Sequence, residues 1–175
     1  MAYAESVAED LRKLSFHGVS LQVQVDKREL RGGEKSWQWI KKGVPLRLEV
    51  GPRDIDSKSV ILYRRDKSHR EKFPLERGAL TQQVPHILDE MQSNYFMEAL
   101  KFRESNIERG IKSPEEFAAY FTPKNPDKPE IHGGFVWGKW CGDRAVEDEL
   151  ASHKVTIRCL PLEQSGTQGK CVVTG

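Results

Sequence analysis

Arg47, Arg53 and Asp54 stand close together in the stretch Gly43-Val44-Pro45-Leu46-Arg47-Leu48-Glu49-Val50-Gly51-Pro52-Arg53-Asp54. An arginine presents a planar fork of N–H donors, and an aspartate carboxylate offers only acceptors. That combination matches a guanine base, whose O6 and N7 accept from a fork and whose N1–H and N2–H can be given to a carboxylate. Unpaired RNA bases are read this way, by their hydrogen-bonding edges, with flat side chains stacking on their faces. Two plainer alternatives stand beside it: an ion pair between Arg47 and the neighbours of Glu49, and a type I turn holding Arg53 and Asp54. Trp39 is a candidate stacking platform, while Trp37 is assigned to core packing. Lys41 and Lys42 are candidate phosphate contacts, because a lysine is a point charge that positions without specifying.

Catalytic chemistry has less support. The sequence contains no Gly-x-Ser-x-Gly, no glycine-rich phosphate loop followed by Lys-Ser/Thr, and no His-Glu-x-x-His. His17, His69, His86, His132 and His153 are scattered, and no base–nucleophile pair can be placed among them. Cys141, Cys159 and Cys171 are odd in number and widely spaced, which points to a reducing compartment rather than a disulfide framework.

The elements that would position these residues follow from periodicity. Ala4–Leu14 reads as a helix with Val7, Ala8, Leu11 and Leu14 on one face, acidic residues early and basic ones late. Val19, Leu21, Val23 and Val25 alternate with polar residues as in a half-buried strand. Glu34–Lys42 predicts a short helix stopped by Gly43 and Pro45, and Leu46–Val50 a strand ended by Gly51-Pro52. Val60–Arg64 and Arg70–Leu75 form a hairpin around Asp66–His69. A long helix runs from Pro85 to Arg109 with Leu88, Met91, Tyr95, Ala99 and Phe102 as its apolar stripe, closed by Gly110. Ser113-Pro114-Glu115-Glu116 is a capping box that starts another helix. Thr122–Glu130, with its prolines, is a linker. Strand Phe135–Trp140, helix Asp143–Lys154, strand Val155–Leu160, a polar turn Ser165–Gly169 and a short strand Lys170–Val173 complete the chain. Two α/β units joined near residues 110–132 are expected, with no internal repeat.

The whole sequence is 175 residues with 28 Lys+Arg against 26 Asp+Glu, a net charge of +2. Residues 27–72 alone hold fourteen basic and seven acidic residues, a local +7 that leaves −5 elsewhere. Such asymmetry suits a polyanion-binding half, although a merely solvated basic face would show it too. No apolar run approaches the ~20 residues of a membrane span, and no charged-then-apolar N-terminus suggests a secretory signal. A membrane, disulfide-miniprotein or disordered class is excluded.

The stretch 43–54, preceded by Gly32-Gly33-Glu34-Lys35-Ser36-Trp37-Gln38-Trp39, resembles the anticodon-binding domain of prolyl-tRNA synthetases of the archaeal/eukaryotic type. Ala99-Leu100-Lys101-Phe102-Arg103-Glu104 looks like the end of that family's long helix. Gly133-Gly134-Phe135, Trp140-Cys141-Gly142-Asp143, Thr156-Ile157-Arg158-Cys159-Leu160-Pro161 and Gly169-Lys170-Cys171-Val172-Val173-Thr174-Gly175 look like its C-terminal domain. The resemblance implies an α/β fold: a class II synthetase anticodon-binding domain, a mixed sheet flanked by helices, over residues 1–110, followed by a small α/β C-terminal domain over 111–175. It implies that Arg47, Arg53, Asp54 and Arg70 contact the two guanines shared by proline anticodons. The family often carries an acidic residue where Ile40 stands.

The resemblance further implies a whole enzyme that attaches proline to tRNA with ATP and Mg, cytoplasmic and homodimeric, with this chain touching the tRNA anticodon loop and the enzyme's own catalytic domain. None of the class II core motifs appears here, so the chain alone is expected to be inactive and to need no cofactor. The family's first strand and final tail are expected to be missing. The resembled C-terminal domain often holds a four-cysteine zinc site. Cys141 and Cys171 match two of its positions, Val146 and Thr174 stand at the others, and two thiols fall short of the four ligands structural zinc takes. No metal is therefore expected. A stand-alone RNA-binding or protein-interaction module using the same fold is the alternative.

Overall fold

The computed structural model describes residues 1–128 and 134–175. Residues 129–133 hold the end of the expected linker, His132 and the first glycine of Gly133-Gly134-Phe135, all of which lie outside the described residues. Two compact units are present, Met1–Ala99 and Leu100–Gly175.

The first unit opens with helix α1 (Ala2–Arg12), which buries Val7, Ala8 and Leu11 as its spacing requires. A two-residue hairpin, β1 (Ser15–Phe16) and β2 (Val19–Ser20), follows around Gly18. The expected strand through Val25 is not a strand: residues 21–25 keep the alternating burial of one but pair with no neighbour in a ladder. Alternation reports which side chains face the core, and Leu21 and Val23 do pack there. It says nothing of a hydrogen-bonding partner.

Helix α2 (Gly32–Lys41) ends where Gly43 adopts φ 78°, the left-handed closure that lets its N–H return to the Ile40 carbonyl at 3.0 Å. Strand β3 (Leu46–Glu49), short helix α3 (Pro52–Asp56), β4 (Ser59–Arg64) and β5 (Phe73–Glu76) then build an antiparallel sheet in the order β3-β4-β5. Register separates the two faces. Leu48 lies opposite Leu62, and Leu46 opposite Arg64, whereas Arg47 lies opposite Tyr63 and Glu49 opposite Ile61. The even-numbered face joins the core of Val7, Leu11, Val60, Leu80 and Val84. Pro74 is tolerated because β5 is an edge strand.

Helix α4 (Leu80–Ser105) begins earlier and ends sooner than its stripe suggested. Leu80, Val84 and Met91 are buried, but Tyr95, Phe96, Met97 and Phe102 are exposed, so only the N-terminal part of the apolar stripe is used as core.

The second unit contains β6 (Ile107–Glu108) paired in parallel with β7 (Phe135–Val136), helix α5 (Pro114–Phe121) and helix α6 (Arg144–Leu150). The predicted cap is in place, with the Ser113 hydroxyl accepting from the Glu116 N–H. Asp143 caps α6 in the same manner. Phe117, Val146 and Leu150 are buried. The strands expected at Val155–Leu160 and Lys170–Val173 do not form. Their contact with neighbouring backbone is sparse: Val172 N–H bonds the Lys139 carbonyl at 3.0 Å, and the chain then turns, Gly175 N–H returning to Cys171. β-Branched residues favour extended backbone, and a ladder needs a facing strand as well.

Candidate nucleic-acid interface

The odd-numbered face of β3 and β4 opens into a cleft of about 340 Å³ lined by Gly32, Gly33, Ser36, Trp37, Ile40, Arg47, Glu49, Tyr63 and His69. Alternation along β3 sends Arg47 and Glu49 to the same side, and cross-strand register sets Tyr63 beneath Arg47. The Arg47 guanidinium lies 4.9 Å from the Tyr63 ring centroid and 3.8 Å from a Glu49 oxygen. Of the two readings of Arg47, the ion pair therefore exists, to Glu49 itself rather than its neighbours, and it leaves most of the fork's donors available.

Gly33, Ser36, Trp37 and Ile40 share one face of α2, the i, i+3, i+4, i+7 stripe of a helix, and that face forms the opposite wall. The assignment of Trp37 to the core is corrected: it is 53% exposed, with its ring 5.3 Å from that of His69. The helix was expected, but the face that carries Trp37 borders the cleft and not the buried interior. Glu49 is the hub of the polar wall. Its carboxylate accepts from the Ser36 hydroxyl at 3.1 Å and lies 3.8 Å from the Arg47 guanidinium. Burial, and then the negative charge and hydrogen bond of Glu49, push the Tyr63 phenol above its usual range, so it stays a donor.

Arg53 and Asp54 occupy the first turn of α3 rather than a plain turn. The Asp54 carboxylate reaches back to the Gly51 N–H at 2.7 Å, the reach-back of a capping box. Arg53 is exposed and, among the described residues, makes no ion pair. Arg70 is exposed in the β4–β5 connection, next to His69. Neither Arg53 nor Arg70 lines the cleft itself.

Trp39 belongs to a separate cluster. Its Nε1–H donates to Asp26 at 2.8 Å, Lys42 sits 4.4 Å over its ring, and Arg28 lies 5.8 Å away. Arg28 and then Trp39, hydrogen-bonded to Asp26, hold that carboxyl far below its usual range. A ring already stacked by a lysine presents cations outward, with Lys41 exposed nearby.

In the second unit Cys141 and Cys159 are exposed and Cys171 is buried. Burial raises the Cys171 thiol, but hydrogen bonds from the Thr174 hydroxyl and from the N–H groups of Val173, Thr174 and Cys141 outweigh it and bring the thiol to about 7. Val146 is buried in α6 and Thr174 donates to sulfur, so neither completes a tetrahedral zinc set. Among the described residues no three His, Cys, Asp or Glu side chains gather as a metal site would need.

Glu49, Tyr63, His69 and Ser36 are the cleft residues to which sequence reasoning gave no functional role, and Trp37 is the one it placed in the core. Glu49 carried a usable signal, since it stands two residues after Arg47 on an alternating strand.

The chain is similar to known proteins over its whole length. Residues 1–81 match the family described as "Anticodon binding domain". The chain is 54% identical to the proline–tRNA ligase of Protochlamydia amoebophila, with all of this chain and 34% of that protein aligned. It is 36% identical to the proline–tRNA ligase of Thermococcus kodakarensis, over 99% of this chain and 34% of that one. A crystal structure of prolyl-tRNA synthetase from Cryptosporidium parvum, complexed with L-proline and AMP, superposes with a TM-score of 0.77 at 26% identity, over 97% of this chain and 32% of that one. The chain thus spans about a third of the length of the relatives it matches. The resemblance drawn from the motifs is borne out: the first 81 residues match the anticodon-binding-domain family, and the chain as a whole aligns with about a third of the proline–tRNA ligases to which it is similar.

Proposed function

We propose that this chain selects tRNA for a proline–tRNA ligase by reading the two guanines of the proline anticodon. The observation that carries the reading is the cleft on the sheet's outer face. It sets an arginine fork, a carboxylate and an exposed tryptophan around a space wide enough for a nucleobase, inside the segment similar to anticodon-binding domains. Arg47 supplies the fork within the cleft. Arg53 and Asp54 on α3, and Arg70 beyond His69, supply contacts at its margins. Trp39, Lys41 and Lys42 form a basic surface for the RNA backbone, with Lys41 and Lys42 as the cations and Trp39 as the scaffold under Lys42.

The work is divided between a reading part, residues 1–110, and a C-terminal module, residues 111–175. In the whole enzyme, a separate catalytic domain activates proline with ATP and Mg and transfers it to the tRNA. That enzyme is a homodimer acting in the cytoplasm. Among the described residues no helix is long and apolar enough to cross a membrane.

The test is a titration of the chain with a proline anticodon stem-loop, first at low salt. Tight binding is expected, falling when both guanines are replaced and falling again in Arg53→Ala. Equal binding to every loop would leave only an electrostatic surface, and no binding at all would favour a protein-interaction role for the basic face.

A further inference from the structure

Guanine presents three groups in a row on its Watson–Crick edge: an acceptor, O6, and two donors, N1–H and N2–H. A protein edge that matches it needs one donor followed by two acceptor positions. Arg47 and Glu49, side by side on β3 with 3.8 Å between guanidinium and carboxylate, offer that sequence on one wall of the cleft. Among the described residues lining the cleft, Glu49 is the one carboxylate.

Asp54 was the acidic partner expected from the motif, yet its Oδ2 is engaged by the Gly51 N–H at 2.7 Å as part of the start of α3. Glu49 is better placed to accept from a ligand. Its carboxylate has about four lone-pair sites. The Ser36 hydroxyl fills one from within the protein. That donor from α2 and the Arg47 guanidinium at 3.8 Å orient the carboxylate, and its side chain is still 50% exposed.

We infer that Glu49 is a specificity-determining residue, accepting N1–H and N2–H of an anticodon guanine while Arg47 donates to O6 of the same base. The inference rests on the anticodon-reading function and adds to it a residue and a chemical group on the RNA. Trp37, on the facing wall, lies where the base would be flanked by a flat surface. Adenine is rejected because its N6 amino group would face the Arg47 donors and its unprotonated N1 would face a carboxylate. Inosine, which is guanine without the N2 amino group, isolates the contribution of Glu49, since Arg47's partner O6 is retained.

The experiment uses the full 175-residue chain and five synthetic stem-loops at one fixed salt concentration: the proline anticodon with both guanines, and the same loop with each guanine replaced in turn by inosine or by adenine. The wild-type chain is expected to bind the guanine loop about tenfold or more tighter than the inosine loop at one of the two positions. In Glu49→Ala that guanine-to-inosine ratio falls to about one. Glu49→Gln keeps the side chain's size and an acceptor for Ser36 but has only one acceptor oxygen, and gives an intermediate ratio; it carries the comparison should the alanine variant fail to fold.

If Glu49 served only to hold Arg47 in place, affinity for guanine and inosine loops would fall together, the ratio would persist, and the inference would be overturned. A wild-type chain that separates guanine from adenine but not from inosine also overturns it, while leaving the anticodon-reading function standing. A wild-type chain blind to all three bases removes both.

Discussion

Arg47 is held between an aromatic ring and a carboxylate, and that environment decides what a substitution there does. Its guanidinium stacks 4.9 Å from the Tyr63 ring centroid, and its side chain is only 13% exposed. A lysine at this position would keep the charge but lose the planar fork and its stacking. Arg47→Lys is therefore expected to weaken binding of the guanine-bearing loop by about 1–3 kcal/mol, read from Kd at constant salt, with a smaller loss for a guanine-free loop. Asp54 acts on the fold as well as on any ligand. Asp54→Ala removes the acceptor for Gly51 N–H and should lower stability by about 1 kcal/mol in urea denaturation, whereas Arg53→Ala should leave stability within about 0.5 kcal/mol. Binding losses in Asp54→Ala must be compared with that change, while those in Arg53→Ala are direct. Arg47 and Glu49 were legible in the sequence because a strand's period of two fixes their common side. Trp37 was not, because the same helical stripe serves a core or a cleft equally well, and only the placement of α2 across the cleft from the sheet distinguishes them.

At the scale of elements, the β4–β5 connection matters most, since it carries His69 and Arg70. It is anchored by Arg64 and Asp66. Arg64 gives two hydrogen bonds to Asp66, at 2.9 and 2.7 Å, and a third to Glu90 of α4 at 2.8 Å. Asn94 of α4 adds a bond to Asp66 at 3.1 Å. The hydrogen bonds from Arg64, outweighing burial and joined by Asn94, hold the Asp66 carboxyl below its usual range. A carboxyl lowered in the folded state contributes stability above its unfolded pKa, about 4, and loses it as pH falls through the folded value. Asp66→Asn is expected to cost about 1–3 kcal/mol at pH 7, and the gap from wild type should narrow below about pH 4. Urea titrations at both pH values check this; a gap independent of pH would mean that the charge of Asp66 contributes nothing. The hairpin, α1, α2 and the Ser113 cap were legible because each carries a local signal, a period, a stop glycine or a capping residue. The two C-terminal strands were misread because a ladder depends on a partner distant in sequence, which no local pattern reports. The helical start at Pro52 was readable in principle, as proline at the first helical position, but Gly-Pro reads as readily as a turn.

For the molecule as a whole, charge is segregated along the chain, with +7 in residues 27–72 and −5 in the remainder. Part of the basic segment is neutralised within the protein, by the pairs Lys27–Glu5, Arg28–Asp26 and Arg64–Asp66. Lys41, Lys42, Arg53 and Arg70 make no ion pair among the described residues and stay available to phosphate. Binding of a single-stranded loop should weaken linearly in log–log form as salt rises, and Lys41→Ala should lower the slope by about 0.7 while affecting every loop sequence alike. An unchanged slope would show that Lys41 lies away from the RNA. The segregation was legible from composition alone; which cations are already paired required the fold. The central claim is that the cleft reads bases and does not merely attract a polyanion, and one measurement tests it most directly. The wild-type chain and Arg47→Ala are each titrated, at one salt concentration, with the proline anticodon loop and with the same loop carrying adenines in place of both guanines. The predicted result is a preference for guanine of about a hundredfold in wild type, reduced at least tenfold in the variant. Equal affinity of the wild-type chain for the two loops would contradict it.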